Sequence, residues 1–211
     1  MTAEDEKRIA AEAAAGLVED GMALGLGTGT TVELFLPALA RRRLRLRCVA
    51  TSPRTEEAAL ALGLRVEPFH ELDRLDLAVD GADQVAPDRW VVKGGGGAHT
   101  REKVVAAAAE RFVVIVSSDK LVEALQPPVP VEIMVFGARA TLARIAPAEL
   151  RPGASPTPDG GLVADHLGDV GAPAALAARL AAAPGVVEHG LFGPELVSEV
   201  LVGRGDGVEK L

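Results

Sequence analysis

Apolar and polar positions along this chain switch repeatedly between a helical and a strand period. Ile9, Ala13 and Leu17 recur at helical spacing and predict an opening helix, Met22 to Leu26 reads as a short buried strand, and Thr31 to Ala40 returns to helical character. The unit then repeats. Leu44, Leu46, Cys48 and Ala50 alternate as a strand, Pro53 to Leu62 reads as a helix stopped by Gly63, and Leu75 to Val79 is another strand. Trp90 to Val92, a helix from about Arg101 to Glu110 and the strand Phe112 to Val116 complete the series. Such alternation predicts an α/β fold with a doubly wound, mostly parallel, Rossmann-like sheet.

The pattern changes at Gln126-Pro127-Pro128-Val129-Pro130. From there the chain reads as a strand (Val131 to Val135), a helix (Ala138 to Ile145), a weak strand (Arg151 to Pro158), a turn at Pro158-Asp159-Gly160-Gly161 and a strand (Leu162 to Ala164). A helix (Pro173 to Ala182) and a strand (Val186 to His189) follow. The order strand-helix-strand-strand-helix-strand predicts a smaller ferredoxin-like α+β lid domain. Leu196 to Val202 is apolar enough to return to the first sheet. The expected domains are therefore 1–126 with 196–211, and 127–195.

With 211 residues, 48% hydrophobic and 25% charged, the chain can bury a substantial core. Its net charge of -8 argues against nucleic acid or an anionic membrane as the main partner. A single cysteine, Cys48, excludes an intramolecular disulfide and a multi-cysteine metal site. No apolar stretch is long enough to span a bilayer, and the charged run Glu4 to Arg8 lacks the apolar core of a signal peptide, so a cytoplasmic protein is expected. Lysine is rare among the basic residues, yet Lys93 and Lys120 both directly follow apolar runs. A compact ammonium there can hold a phosphate or shuttle a proton.

Four segments could carry chemistry, each expected at the carboxyl end of a strand, where open α/β sheets bind ligands. Gly25-Leu26-Gly27-Thr28-Gly29-Thr30-Thr31 puts Thr30 where a dinucleotide fingerprint requires glycine, no acidic residue follows at Ala50-Thr51-Ser52, and no lysine follows the glycines. What remains is a glycine turn with three hydroxyls at a helix N-terminus, suited to a small phosphate or simply a capped turn. Asp80-Gly81-Ala82-Asp83 places two carboxylates around a tight turn. Without a nearby histidine they make a poor transition-metal site, whereas sugar hydroxyls fit them well; alternatively Asp80 caps the turn and Asp83 is solvated.

The third segment, Lys93-Gly94-Gly95-Gly96-Gly97-Ala98-His99-Thr100-Arg101-Glu102-Lys103, sets four glycines between a cation and a carboxylate. It reads as strand, loop and helix N-terminus, where backbone N–H groups can approach an anion. Glu102 in the first helical turn supplies a base. The fourth, Ser117-Ser118-Asp119-Lys120, offers Lys120, or else a helix cap at Ser118 and a solvated lysine. The histidines His70, His99, His166 and His189 lack metal-ligand spacing, and His99 is expected at the loop surface.

Together, Gly-x-Gly-Thr-Gly-Thr-Thr at 25 to 31, Asp-Gly-Ala-Asp at 80 to 83, the run 93 to 103 and Ser-Asp-Lys at 118 to 120 resemble type A ribose-5-phosphate isomerase. Pro130-Val131-Glu132-Ile133 and the run Pro184 to Phe192 are similar to that family's lid domain and the return from it. The resemblance implies an aldose-ketose isomerase of the non-oxidative pentose phosphate pathway, interconverting ribose 5-phosphate and ribulose 5-phosphate through an enediolate with no metal and no cofactor. It implies Glu102 as the base, and Asp80, Asp83 and Lys93 as the groups that bind hydroxyls and carbonyl and stabilise the oxyanion. Thr28, Gly29, Thr30, Thr31, Gly81, Ala82, Gly94, Gly95, Gly96 and Lys120 would line the substrate, with Lys7 a weaker phosphate candidate. A homodimer or homotetramer is the implied assembly. Gln84, Thr30 and His99 depart from the family pattern. The rival readings are a sugar-phosphate-binding sensor and an amino-sugar phosphate deaminase of related fold.

Overall fold

The computed structural model describes residues 2–211. In its first half the elements are α1 (Ala3–Gly16), β1 (Ala23–Leu26), α2 (Thr30–Ala40), β2 (Arg47–Ala50), α3 (Pro53–Ala61), β3 (Leu75–Asp80), β4 (Gln84–Val85), β5 (Val91–Val92), α4 (His99–Ala108) and β6 (Ala109–Ser117). Then come β7 (Val129–Ile133), α5 (Ala138–Arg144), β8 (Ala148–Leu150), β9 (Leu162–His166), α6 (Pro173–Ala181), β10 (Val186–His189), β11 (Leu191–Phe192), β12 (Glu199–Arg204) and β13 (Gly207–Lys210). None of the helices among the described residues is long and apolar enough to cross a membrane.

Two compact units emerge, one of Met1–Ala82, Arg101–Leu121 and Pro194–Leu211, the other of Asp83–Thr100 and Val122–Gly193. The first holds a six-stranded sheet in the order β13-β12-β6-β3-β1-β2. All neighbours are parallel except the hairpin strand β13. Leu24, Leu26, Phe35, Leu39, Leu77, Val79, Val113 and Ile115 form its core, each worth about 1.5–3 kcal/mol of transfer free energy.

Local chemistry explains the helix ends. Thr2 and Asp5 close a capping box on α1: the Thr2 hydroxyl accepts the Asp5 N–H at 3.2 Å and the Asp5 carboxylate accepts the Thr2 N–H at 3.0 Å. Ser52 caps α3, with Pro53 in its first turn and Gly63 just beyond it at φ +79. The buried face of α1 is Ala10, Ala11, Ala14 and Ala15, while the expected Ile9-Ala13-Leu17 stripe lies at its margin. Small side chains suit that face because α1 lies close on β12: a Cβ on Gly203 would meet the Glu6 carbonyl oxygen at 1.8 Å. The strand expected from Leu44 begins only at Arg47, since the Arg45 N–H donates to Asp20 instead, at 2.6 Å. Cys48 is buried in β2, its thiol pushed up to about 12 by burial and, secondarily, by the Glu67 charge.

The second unit carries a four-stranded antiparallel sheet ordered β10-β7-β9-β8, the arrangement expected of a ferredoxin-like domain. Val129, Val131, Ile133, Ile145, Ala164, Leu176 and Leu180 lie in its core. Its second strand is Ala148–Leu150, not Arg151 to Pro158: the three prolines there supply no ladder donors, and Gly153 turns at φ +69. The strand read as Trp90 to Val92 leaves the parallel series. Val91 and Val92 pair antiparallel with Leu191–Phe192 and Gln84–Val85 in a separate three-stranded sheet. That pairing, with Ala86, Val92, Leu125 and Leu191 in the second core, groups residues 83–100 and 122–126 with this unit. The expected boundaries, 1–126 with 196–211 and 127–195, place those residues in the first domain.

Candidate active site

In the first unit the strand order reverses between β1 and β3, and sheets of this order bind ligands outside the carboxyl ends of the two strands flanking such a point. β1 leads into Gly27-Thr28-Gly29, and β3 ends on Asp80. Asp80 is only 2% exposed, and its Oδ1 accepts the N–H groups of Thr28 at 3.1 Å and Gly81 at 2.7 Å. Those bonds compensate its burial as a charged acceptor. A Cβ on Gly27 would stand 2.0 Å from Asp80 Cγ, so glycine alone lets the two strand ends come this close.

The Thr28 hydroxyl turns to three neighbours: Thr51 Oγ1 at 2.8 Å, Ser52 Oγ at 2.8 Å and Thr55 Oγ1 at 3.1 Å. Thr55 in turn donates to the Gly27 carbonyl at 2.9 Å. This hydroxyl cluster was not identified from sequence; its one signal was Ser52-Pro53, a helix start. Gly29 caps α2 with no side-chain bond, leaving Thr30 exposed and Thr31 buried at the helix N-terminus. Lys7 Nζ donates to Thr30 Oγ1 at 3.0 Å, so the weaker phosphate candidate does reach α2.

Beyond β6, Ser118 does not cap an α-helix. Ser118–Lys120 is a single 3-10 turn, and the Ser118 N–H and hydroxyl donate to Glu6 Oε2 at 2.8 and 2.7 Å, holding Glu6 below the usual carboxylate range. Asp119 is held low by the Ser117 hydroxyl, and Lys120 Nζ lies 3.4 Å from Asp119 Oδ2. Glu102 stands in the first turn of α4 and is 4% exposed. A Cβ on Gly25 would meet Val105 Cγ1 at 2.4 Å, so α4 lies directly on β1. Val105 follows Glu102 by one turn on the same face, and α4 runs straight into the parallel strand β6. Glu102 therefore sits at the carboxyl edge of the sheet, the edge that carries Asp80 and Thr28 to Thr31.

In the second unit Lys93 is 3% exposed; its N–H donates to the Gly190 carbonyl at 2.8 Å and its Nζ lies 5.7 Å from the centre of the Phe192 ring. Gly94 (φ +105) and Gly97 (φ +73) make the following turn, with Gly95 and Gly96 exposed between them. Asp83, directly after Gly81-Ala82, is exposed, and its Oδ2 accepts the Gly95 N–H at 2.8 Å. His99 is fully buried rather than at the loop surface, its ring against a Cβ position of Gly94 and its Nε2 3.4 Å from the Glu188 carbonyl. Gln84 grips the Gln126 backbone at both ends, donating from Nε2 at 2.9 Å and accepting at Oε1 at 2.8 Å. A glutamate could make only the second bond.

The contacts of two residues beside the glycine loop escaped the sequence. Arg151 Nη1 donates to the Gly94 and Gly95 carbonyls at 2.9 and 3.0 Å. Glu132, 2% exposed on β7, accepts the hydroxyls of Thr100 and of Thr157, the latter at 2.6 Å. Among the described residues no group of three or more His, Cys, Asp and Glu side chains could hold a metal ion.

The family model of ribose 5-phosphate isomerase A (phosphoriboisomerase A) matches residues 47–207. The ribose-5-phosphate isomerase A of Caulobacter sp. (strain K31) is 44% identical over 225 residues, covering 100% of this chain and 99% of that protein. That of Methanosarcina acetivorans is 41% identical, covering 98% and 93%. Among solved structures, ribose 5-phosphate isomerase A from Methanocaldococcus jannaschii superposes with a TM-score of 0.94 at 34% identity, covering 100% of this chain and 99% of that one. A D-ribose-5-phosphate isomerase in complex with phospho-erythronic acid does so at 0.94 and 33%, with the same coverage. By sequence and by fold, over its full length, this chain belongs to the ribose-5-phosphate isomerase A family.

Proposed function

We propose that this aldose-ketose isomerase interconverts D-ribose 5-phosphate and D-ribulose 5-phosphate by metal-independent proton transfer through an enediolate, in the non-oxidative branch of the pentose phosphate pathway. Glu102 takes the C2 proton of the open-chain aldose as the C1 carbonyl becomes an enediolate oxygen. It then returns a proton to C1 while the O2 proton moves to O1, leaving the ketose. Asp80, Asp83 and Lys93 bind the sugar hydroxyls and carbonyl, assist ring opening and stabilise the developing oxyanion. The N-terminus of α2 with Thr28 to Thr31, and Lys120 and Lys7, serve the remaining substrate and its phosphate. Gly81, Ala82 and the glycines 94 to 96 let the backbone approach the sugar. The enzyme works in the cytoplasm as a homodimer or homotetramer.

The observation that carries this reading is the placement of Glu102, nearly fully buried, at the same sheet edge as Asp80 and the Thr28 turn. A carboxylate removed from water and held near fixed donors is what proton removal alpha to a carbonyl requires. The ligand of one structural relative fits too: phospho-erythronic acid carries a carboxylate where an enediolate would carry its charge. The test is an isomerisation assay with ribose 5-phosphate in EDTA, comparing wild type with Glu102→Gln. The expected outcome is full activity in EDTA and a kcat lower by more than about 100-fold in the variant. An inactive wild type would sink the assignment, loss in EDTA would restore a metal, and near-normal Glu102→Gln would remove the base.

A further inference from the structure

The glycine loop is held by a cation from a distant part of its own unit. Arg151 follows β8, and its Nε and Nη2 grip the two oxygens of Asp165 on β9 at 2.9 and 2.5 Å, a fork-to-fork pair only 21% and 13% exposed. The third nitrogen, Nη1, is thereby aimed at the Gly94 and Gly95 carbonyls. Both glycine peptides are trans, so each carries its carbonyl and N–H on opposite sides. In the Gly94-Gly95 peptide the carbonyl faces Arg151 and the N–H faces Asp83. In the Gly95-Gly96 peptide the carbonyl again faces Arg151, which turns the exposed Gly96 N–H the other way.

Glycine peptides rotate easily, and nothing within 4 Å would meet a Cβ on Gly96. A flip of that peptide would present a carbonyl oxygen where a donor had stood, replacing attraction for an anionic oxygen by repulsion. The charge-assisted bonds from Arg151 oppose such a flip. Lysine could not replace it, because one ammonium cannot hold the Asp165 fork and both carbonyls in a fixed plane.

We infer that Arg151, oriented by Asp165, is a positioning residue that fixes the Gly96 N–H of the glycine loop toward the oxygen on which charge develops. This rests on the reading of the loop as part of the sugar-phosphate site. The experiment measures kcat and KM for ribose 5-phosphate, the affinity for phospho-erythronic acid and the thermal transition in wild type, Arg151→Ala and Arg151→Lys. In Arg151→Ala, kcat should fall about 100-fold with KM within about 3-fold, because misplaced donors are felt mainly in the transition state. Analogue affinity should fall alongside, and added guanidinium ion should restore part of kcat. Arg151→Lys should lose about 10-fold. A merely structural role would lower the thermal midpoint and the folded fraction while leaving kcat per folded molecule unchanged, and that result overturns the inference. Should Arg151→Ala fail to fold, a folded Arg151→Lys with wild-type kcat and analogue affinity overturns it equally. An inactive wild type would instead overturn the functional reading itself, and the inference with it.

Discussion

Two glycine-rich turns in this molecule look alike in sequence and are built by different means. The turn after β1 is fixed from its immediate surroundings: Asp80 on the neighbouring strand takes the Thr28 N–H, and the Thr28 hydroxyl donates to Ser52 and is hydrogen-bonded with Thr51 and Thr55, all three after the other neighbour. Its Gly27 is needed for close approach, not for an unusual backbone angle. The turn after β5 has Gly94 and Gly97 in the left-handed region and is fixed by side chains from elsewhere in its unit, Asp83 and Arg151. The first is a property of parallel-strand packing. The second can be rearranged without disturbing a sheet, and it owes its shape to a few polar contacts.

That contrast predicts different responses to a single methyl group. Gly27→Ala should do the most damage, since its Cβ falls on the Asp80 carboxyl and forces the buried acid off its two N–H donors. We expect kcat/KM to fall about 1000-fold and stability to drop by about 1–3 kcal/mol. A variant crystal structure with Asp80 in place, or activity within a few-fold of wild type, would refute the close-approach account. Gly94→Ala should act mainly on stability. It combines φ +105 with a Cβ 2.7 Å from His99 Nδ1 and 2.8 Å from Pro130 Cβ, and should cost about 2–4 kcal/mol in urea unfolding. A loss below 1 kcal/mol would mean that the loop simply rotates out of the way.

The same contrast marks what the sequence could reveal. Strands of the first sheet were legible because β-branched runs such as Phe112 to Val116 are bounded by helical stretches, and Asp80 was placed correctly because it ends such a run. Local spacing could not reveal that α1 packs through alanines instead of Ile9, since that depends on how near β12 lies. Nor could it place Val91–Val92, too short to declare a partner, in a sheet with Leu191–Phe192. Arg151 and Glu132 escaped for a related reason. Their partners lie 14 to 57 residues away in sequence, so no local spacing ties either residue to the glycine loop. The catalytic candidates were legible as a set through resemblance, whereas the groups that hold them were not.

Gly96→Ala separates folding from chemistry within the second turn. It has ordinary backbone angles and open space around its Cβ position, so stability should stay within about 0.5 kcal/mol of wild type. If its N–H meets substrate, a methyl beside it should still lower kcat/KM about 10-fold. Unchanged kinetics would move the substrate contact to another glycine of the loop.

The smallest expected effect distinguishes the two units by pH. His166 of the second unit is 1% exposed, with Nδ1 2.8 Å from the Ile145 carbonyl and Nε2 3.2 Å from Arg179. Since arginine only donates, Nε2 accepts and Nδ1 carries the proton of a neutral ring. Burial, with help from Arg179, lowers its pKa below the ordinary 6.5. The unfolded chain therefore binds the proton first, so this stability is complete above about pH 6.5 and is lost as pH falls toward the folded value. Glu67 of the first unit behaves alike in a lower window: its bond to Arg47 lowers it from 4.5, so its contribution is complete above that value and declines below it. Thermal midpoints should thus begin to fall near pH 6.5, and His166→Gln should flatten the curve just below that value while Glu67→Gln changes only the part below about 4.5. Equal slopes for wild type and His166→Gln across the upper window would show that the buried imidazole is not what makes the second unit acid-sensitive.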